Sequence, residues 1–496
     1  MTQLSSSIVA AVSLGLGLAL LVVLVRGFRN ELKKVPGPWH TLFTDLALKI
    51  SIITGRRMYY VDSLYKKYGP YVRIAPHEVA VNDPAGFAQI HKIPGFDKSE
   101  WYTGLTGLPR QMVFSMTDSK MHAARRRLFA RPFSRTFLLQ HWHDTIRDMT
   151  KFAVHRIHGE AVSAAPSTIA VDVMKWWTFM STDISGRLMY GHSFGNLETG
   201  QATLKLMMMN GKVNGAVNEF PFLKVVGRVL RYLPIPAVQE ILCLNEILIE
   251  QGRSLLGSVR ASDSNSNIFS NIAAEAEKGE RTGLDEEDVL IEASGVIIAA
   301  SDTTAITLTY LVWAVLSRPL LQKALEDEVD RLPDDFGDAD LEKLPLLRAV
   351  IDETLRLYGA APGGLPRSVP ADGALMHGYF FPGGTTVTTQ AWSLHRDPEL
   401  FPNPLEFSPS RWLNDEVSPA AKKIYHPFGA GARSCLGVNF ASMMLRLATA
   451  EFFRKCKGAQ LASSTTDESM TPENYFLIAP KSHKCEIVLP QAQAQA

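Results

Sequence analysis

A ten-residue stretch near the carboxyl end constrains the fold of this chain more than any other feature. Residues Phe428–Gly437 read F-G-A-G-A-R-S-C-L-G, and their cysteine, Cys435, comes directly before an apolar, helix-like segment that runs from Val438 towards Phe453. Backbone N–H groups at a helix start are unpaired and carry partial positive charge, so they stabilise an anionic sulfur. The placement predicts that Cys435 is a thiolate ligand. The alternative is a small buried hydrophobic residue.

The other residues of this stretch indicate what the thiolate binds. Gly429, Gly431 and Gly437 allow the backbone to turn tightly and to approach a flat partner closely. Arg433, two residues before the cysteine, provides a cation for carboxylates on that partner. From these residues we infer that the partner is haem.

The pattern Phe-x-x-Gly-x-Arg-x-Cys-x-Gly is similar to the haem-binding signature of the cytochrome P450 monooxygenases, and every fixed position is met between Phe428 and Gly437. The resemblance covers nearly the whole chain after the N-terminus. It implies the P450 fold, which is mainly α with small β-sheets (α+β), in a single haem domain. It also implies that Cys435 is the axial ligand of the iron in haem b (iron protoporphyrin IX), with Phe428, Arg433 and Gly437 around the cofactor.

Composition sets broader limits. The chain has 496 residues, a formal net charge of +1 and 46% hydrophobic residues, so it can bury a large core and shows no bias towards nucleic acid. Its four cysteines are far apart, without a C-x-x-C pair, which predicts neither a disulfide framework nor a zinc site.

The N-terminus predicts a membrane anchor. Residues Ile8–Val25 are uncharged and almost wholly apolar, and as a helix they span about 27 Å. Four basic residues follow between positions 26 and 34, which places that side in the cytosol; a cleaved secretory signal is the alternative. The Pro36-Gly37-Pro38 hinge then separates residues 1–35, the anchor and its basic flank, from residues 36–490, the catalytic domain. Residues 491–496 are predicted to be a disordered tail.

A basic segment, H-A-A-R-R-R-L-F, begins at His122 and predicts a helix with His122 and Arg126 four residues apart on one face. The family's pattern here is Trp-x-x-x-Arg, in which both side chains bind a haem propionate. The resemblance therefore assigns that role to Arg126 and, with His122 in the tryptophan position, to His122. Arg125 and Arg127 are interpreted as a solvated face.

A long apolar helix is predicted from about Glu286 to Ser317, and its middle reads A-A-S-D-T-T, from Ala299 to Thr304. A buried acid is costly unless it meets water, a ligand or partners. The sequence resembles the family's Ala-Gly-x-Asp-Thr-Thr, in which the acid and the first threonine relay protons during oxygen activation. The resemblance gives Asp302 and Thr303 this catalytic role, with Ala300 in place of the usual glycine. The alternative is threonines that hydrogen-bond back to the helix.

A structural cluster is implied further along the chain. Glu353 and Arg356 lie one turn apart on a predicted helix, Leu346–Leu357. The segment F-S-P-S-R-W, from Phe407 to Trp412, is similar to the family's Phe-x-Pro-x-Arg, in which Arg411 completes a buried Glu–Arg–Arg cluster. Between these motifs, Arg367 of L-P-R matches a further propionate-binding arginine.

Other segments are predicted from local pattern. Tyr71–Ile74 and Glu78–Val81 form a hairpin, and Thr385–Thr389 form a strand. The stretch from about Lys98 to Ser115 has no clear period and is predicted to be a long loop, which the resemblance makes substrate-facing.

The function implied by the resemblance is a monooxygenase that oxidises an apolar small molecule, in the style of membrane-anchored fungal enzymes that process polyketide, terpenoid or alkaloid intermediates. Because the sequence has no flavin module and no dinucleotide-binding fingerprint, electrons must come from a separate protein. The implied partner is NADPH–cytochrome P450 reductase at the endoplasmic reticulum membrane, docking on a basic face with Arg125, Arg127, Lys422 and Lys423. The alternatives are a haem-thiolate isomerase or dehydratase, which needs no reductase, and a non-catalytic haem-binding protein. The substrate is not readable from sequence.

Overall fold

The structure is a computed structural model that describes residues 2–163, 170–202, 207–232, 285–414 and 416–490, with isolated positions between 234 and 272. The predicted tail, residues 491–496, lies outside the described residues. Helices account for most of the described chain, and the strands form small sheets. The predicted fold class, mainly α with small β-sheets, is confirmed.

The helices form two successive groups along the chain, one before Arg231 and one after Asp285. The first group is α1 (Thr2–Phe28), α2 (Leu46–Ile53), α3 (Arg57–Tyr68), α4 (Pro84–Lys92), α5 (Trp101–Thr106), α6 (Ser119–Ala130), α7 (Arg135–His141), α8 (His143–Ser163), α9 (Val173–Tyr190), α10 (Asn196–Thr199), α11 (Met207–Glu219) and α12 (Phe222–Leu230). The second group is α13 (Glu286–Leu316), α14 (Pro319–Val329), α15 (Asp338–Leu341), α16 (Pro345–Tyr358), α17 (Ala391–Leu394), α18 (Ser410–Leu413), α19 (Pro419–Ile424) and α20 (Val438–Lys455).

The strands are short. They are β1 (Tyr71–Ala75), β2 (Glu78–Val81), β3 (Asp97–Lys98), β4 (Val171–Asp172), β5 (Arg367–Ser368), β6 (Ala374–Met376), β7 (Tyr379–Phe381), β8 (Thr386–Thr388), β9 (Gln460–Leu461), β10 (Pro472–Tyr475), β11 (Leu477–Pro480) and β12 (Glu486–Val488). Among the described residues the largest sheet has the order β1-β2-β8-β5-β3. The predicted hairpin is β1 and β2, which pair antiparallel, and the predicted strand at Thr385–Thr389 is β8, which pairs parallel to β2.

The long helix α13 is the centre of the main hydrophobic core. Its start is defined by a capping box, in which the Asp285 side chain accepts from the Asp288 N–H and the Asp288 side chain accepts from the Asp285 N–H. Pro319 follows as the first residue of α14, so the predicted end before that proline is confirmed. Buried apolar residues of α13 pack with those of α9, α16 and α20. The core thus fixes α13 and α20, the two helices that carry the predicted site motifs.

The globular packing begins before the predicted boundary at residue 36. Leu32 and Val35 are 3% and 2% exposed and belong to a hydrophobic cluster with strands of the largest sheet. The buried Arg73 side chain of β1 donates hydrogen bonds to the carbonyls of Leu32 and Val35 at 3.0 and 2.8 Å. The segment before the Pro36-Gly37-Pro38 hinge is therefore held against the domain.

Helix α1 contains the predicted anchor, and its described side chains are largely exposed, with Leu14 at 76%. Among the described residues, the helix that is long and apolar enough to span a membrane is Glu287–Leu316, which lies within α13 and is mostly buried in the core. The described part of α1, Ser13–Phe28, is apolar but shorter.

The predicted loop between Lys98 and Ser115 contains a helix, α5. Gly107 ends this helix in the left-handed conformation with φ 60°. Six residues are too few to show a helical period, and Gly104 in the middle of the helix weakens the signal further. The rest of the predicted loop, residues 107–115, has no helix or strand, as predicted, and residues 116–118 continue this connection to α6.

Candidate haem-thiolate site

The loop that carries Cys435 is built by two left-handed glycines. Gly429 and Gly431 have φ values of 71° and 65°, which a side chain would make unfavourable. The Cys435 N–H donates to the Phe428 carbonyl at 2.7 Å and closes the loop. Gly437, in contrast, has an ordinary φ of −87° and stands directly before α20. The sequence therefore places the cysteine at the start of a helix, as the pattern predicts.

The surroundings of the Cys435 sulfur act on its pKa in opposite directions. Burial raises the pKa of the thiol, whereas the Gly437 backbone N–H and the charge of Arg126 lower it. The residue nevertheless has exposed surface. Burial and exposure are compatible here, because protein atoms surround most of the Cys435 side chain while one side of it faces a space that solvent can reach. A Cβ at Gly437, two residues further along the chain, would also have no neighbouring atom within 4 Å, so the loop is not packed against protein at that position.

The predicted propionate-binding residues come together. The positive charges of Arg433, Arg126 and Arg367 act on His122, and together with burial, the larger cause, they lower its pKa to about 3. Arg367 also acts on Arg433, whose pKa is lowered mainly by burial. These effects require proximity, so α6, β5 and the Cys435 loop contribute to one basic cluster.

This basic cluster has few acidic partners among the described residues. Arg433 donates to the carbonyls of Met116 and Thr117 at 2.6 and 2.8 Å, and its nearest carboxylate, on the half-exposed Asp97, is 3.7 Å away. Arg126 donates to the Ser434 carbonyl at 2.7 Å. Within the part of the chain that the structure describes, the buried Nε and Nη1 atoms of Arg367 have no hydrogen-bond partner. Buried cations without counter-charges are costly, so the arrangement is suited to an anionic ligand.

The predicted proton-relay residues lie in the middle of α13. Asp302 is 6% exposed, and burial raises the pKa of its carboxyl to about 6. The Thr303 hydroxyl donates to the Ala299 carbonyl at 2.8 Å, while the buried Thr304 hydroxyl has no partner among the described residues. Ala300, in the usual glycine position, is partly buried against the core. The helix is continuous through this segment, and it carries one carboxyl, that of Asp302, whose pKa lies close to neutral pH.

Glu353, Arg356 and Arg411 form a buried cluster, as the motifs imply. Arg356 makes two 2.8 Å hydrogen bonds to the Glu353 carboxylate, and Arg411 Nε lies 3.0 Å from Glu353 Oε1. Burial opposes ionisation of Glu353, but the hydrogen bonds and charge of Arg356 outweigh it and lower the pKa. The Trp412 indole also donates to this carboxylate, at 2.9 Å, although the motif gave Trp412 no role.

Comparison with known proteins decides the family. A family model described as Cytochrome P450 matches residues 35–487.

The chain belongs to the cytochrome P450 family.

The similarity to several P450s extends over most of the chain. It is 38% identical over 480 residues to cytochrome P450 monooxygenase cypX of Dothistroma septosporum, covering 94% of this chain and 93% of that protein. It is 39% identical over 471 residues to cytochrome P450 monooxygenase stcB of Emericella nidulans, covering 93% and 89%. It is 33% identical over 392 residues to methylphloroacetophenone oxidase of Cladonia uncialis, covering 76% and 85%. The predicted enzyme class, cytochrome P450 monooxygenase, is confirmed.

P450 monooxygenases carry a cysteine-ligated haem and need a redox partner and an organic substrate. The described residues fit this cofactor. The Cys435 residue, directly before a helix, has exposed surface, and the basic cluster supplies donors with few acidic partners among the described residues. A flat group with two carboxylates and a thiolate-binding iron requires such an arrangement.

Lys98 also belongs to the basic cluster, although no sequence pattern predicted this. Strand β3 pairs with β5 so that Lys98 is opposite Arg367. The Lys98 ammonium lies 4.2 Å from the ring centres of Tyr102 and Phe114 and donates to the Phe114 carbonyl. Burial, followed by the charges of Arg367, Arg433 and Arg126, lowers its pKa well below the usual value. A two-residue strand gives no pattern, so the pairing that brings Lys98 to this P450 site was not visible.

The interpretation of Arg125 as part of a solvated basic face is wrong. Its side chain is 11% exposed, and it forms a 2.8 Å ion pair with Glu292 of α13. Arg125 therefore links α6 to α13 and is not available on a docking face. Arg127, Lys422 and Lys423 are exposed.

Proposed function

We propose that the protein is a haem b monooxygenase that oxidises an apolar intermediate of fungal secondary metabolism, such as a polyketide, terpenoid or alkaloid. The observation that carries this proposal is the combination of a thiol directly before a helix, exposed surface at that residue and a basic cluster rich in buried donors. When bound, thiolate-ligated haem supplies dioxygen activation and O–O cleavage.

In this proposal Cys435 is the axial ligand, and Phe428 and Gly437 shape the loop around it. Arg126, Arg367 and Arg433 hold the propionates, with His122 and Lys98 as additional donors. Because the pKa of His122 is lowered to about 3, its ring is neutral at working pH and acts as a neutral N–H donor. The arginines supply the compensating charge, and a neighbouring propionate would favour the ammonium form of Lys98.

Asp302 and Thr303 are proposed to deliver protons during catalysis. A carboxyl with a pKa of about 6 can both hold and release a proton near neutral pH, which an ordinary aspartate cannot do efficiently. Thr303 follows Asp302 in the chain, and its hydroxyl donates to the Ala299 carbonyl in this structure. We propose that the same hydroxyl orients a proton donor during catalysis. A non-catalytic haem-binding protein would have no use for such a pair.

An aromatic cluster supports an apolar substrate. The rings of Trp101, Tyr102, Phe114 and Phe476 are joined by centroid distances between 5.3 and 6.1 Å. Phe476 has a φ of 93°, which is strained for a residue with a side chain. The cluster adjoins the basic cluster through Lys98. Flat apolar molecules are the ligands that such rings favour.

Electrons are proposed to come from NADPH–cytochrome P450 reductase, with the catalytic domain on the cytosolic side of the endoplasmic reticulum membrane. The exposed apolar side chains of α1, such as Leu14 and Leu16, support a single-pass anchor. The exposed Arg127, Lys422 and Lys423 are candidates for the basic docking face.

The test is the ratio of product formed to NADPH consumed in the reconstituted Thr303→Ala enzyme. We expect this ratio to fall, with peroxide released, because general acid steps contribute roughly 10²- to 10⁴-fold. Thr309→Ala is the control, since the Thr309 hydroxyl is likewise bonded back to its helix, at the Ala305 carbonyl, but is buried in the core, whereas the Thr303 hydroxyl is exposed. Conversion of substrate at the wild-type rate without NADPH or reductase would instead establish an isomerase or dehydratase.

A further inference from the structure

A buried histidine connects the Glu353 cluster to the Cys435 loop. His395 follows α17 and is 1% exposed. Its Nε2 accepts the His426 backbone N–H at 3.0 Å, and its Nδ1 lies 3.3 Å from the Arg356 carbonyl oxygen. Both ring nitrogens therefore contact backbone, one on each of two segments that are 70 positions apart in the sequence.

These contacts determine the protonation of the ring. A backbone N–H only donates, so Nε2 must carry a lone pair, and the proton of the neutral ring is on Nδ1, where it is donated to Arg356. Burial and the nearby His426 and arginine charges lower the pKa of His395 well below its usual value. The ring is consequently neutral and in one tautomer throughout the working pH range.

On the Arg356 side, the connection is reciprocal. Arg356 Nη1 donates to the His395 carbonyl at 2.8 Å, while the same guanidinium holds Glu353. His395 is thus bound to Arg356 through its side chain and through its backbone. Its position depends directly on the most buried ion cluster described for the chain.

On the other side, the path leads to the cysteine. The His426 carbonyl accepts the Gly429 N–H at 2.9 Å, and the Phe428 carbonyl accepts the Cys435 N–H at 2.7 Å. The His426 ring packs on Phe87, with centroids 4.3 Å apart. His426 is therefore the base of the loop, and its backbone N–H is held by His395.

We propose that His395 is a positioning residue for the Cys435 thiolate. By accepting the His426 N–H, it fixes the base of the cysteine loop relative to Glu353 and Arg356. The inference rests on the proposed function, because it takes Cys435 as the axial ligand. Loss of the acceptor leaves a buried N–H unpaired, which shifts the balance between thiolate-ligated and unligated haem roughly 5- to 150-fold towards the unligated form.

The test compares His395→Gln, His395→Asn and His395→Leu in the full-length protein. The measurement is the Soret spectrum of the reduced, carbonyl-bound enzyme, expressed as the thiolate-ligated fraction of the haem that is bound. A glutamine oxygen can reach the Nε2 position, whereas an asparagine amide replaces Nδ1 only. We expect His395→Gln to keep most of the thiolate-ligated fraction, and His395→Asn and His395→Leu to lose it.

His143→Leu is the matched control, since His143 Nε2 accepts the Asp338 backbone N–H at 3.1 Å, away from the cysteine loop. It should lower the unfolding temperature without changing the ligated fraction. Equal ligated fractions in the Gln and Asn variants, or equal loss of haem from both, would overturn the role of His395. Absence of the thiolate band in the wild-type protein would instead overturn the proposed function.

Discussion

At the residue scale, individual side chains at the site have protonation states that differ from those of exposed residues. His122 and Lys98 lose basicity through burial among arginines, and Asp302 loses acidity through burial in α13. Each shift has a functional consequence that can be measured on a single substitution.

Lys98→Met should accelerate loss of haem. The substitution removes a buried donor opposite Arg367 that a propionate would hold in its charged form, and one charge-assisted hydrogen bond corresponds to roughly 10- to 150-fold in affinity. The rate of haem transfer to an excess of an acceptor protein measures this effect. Lys98→Arg should behave nearly as wild type, and the exposed Lys323→Met is the control. A wild-type transfer rate in Lys98→Met would exclude Lys98 from the cofactor site.

Asp302→Asn should change how stability depends on pH. The carboxyl pKa is 3.8 ordinarily and about 6 in the folded protein, so between these values the folded chain holds a proton that the unfolded chain releases. The contribution of Asp302 to stability therefore falls as pH rises through this window. Asparagine abolishes this loss, so the variant should gain up to about 3 kcal/mol relative to wild type between about pH 4 and about pH 7. Denaturant unfolding at the two pH values measures the gain, and a difference that does not change with pH would contradict the shifted pKa.

At the element scale, connections between segments remote in sequence determine the site. The long helices α13, α16 and α20 follow from apolar period and proline positions, and the structure confirms them near their predicted bounds. The positions of Lys98 and Arg125 in the structure could not be predicted from the sequence. That of Lys98 depends on a two-residue strand pairing, and that of Arg125 on an ion pair between two helices. Local pattern carries no information about such partners, whereas Cys435, Glu353 and Arg411 were found because family motifs include them.

The connection between residues 107–118 and α13 depends on Glu292. Its Oε1 accepts the Val113 N–H at 2.8 Å and the Arg125 guanidinium at 2.8 Å, and Arg110 pairs with Asp285 near the start of α13. Glu292→Ala should therefore cost about 1–3 kcal/mol and speed hydrogen exchange at Val113. The exposed pair Lys323–Asp327 supplies a control, Asp327→Asn, for which a change under about 1 kcal/mol is expected. Unchanged exchange at Val113 in Glu292→Ala would show that other contacts hold this segment.

At the scale of the whole molecule, the chain supplies three kinds of chemistry from different elements. The start of α20 provides a sulfur, the largest sheet and α6 provide cations, and the middle of α13 provides a titratable acid. None of these features alone requires an oxygenase, whereas the proposed function requires all three.

The central claim is that Cys435 supplies the thiolate, and the Soret spectrum of the reduced, carbonyl-bound protein tests it most directly. The wild-type protein should show the long-wavelength band of thiolate-ligated haem, because the helix start and Arg126 favour the ionised sulfur. Cys435→His should lose this band while it can still bind haem, and Cys456→Ala, which alters a buried cysteine at the other end of α20, should keep it. Persistence of the band in Cys435→His, or its absence from the wild-type protein, would contradict the account.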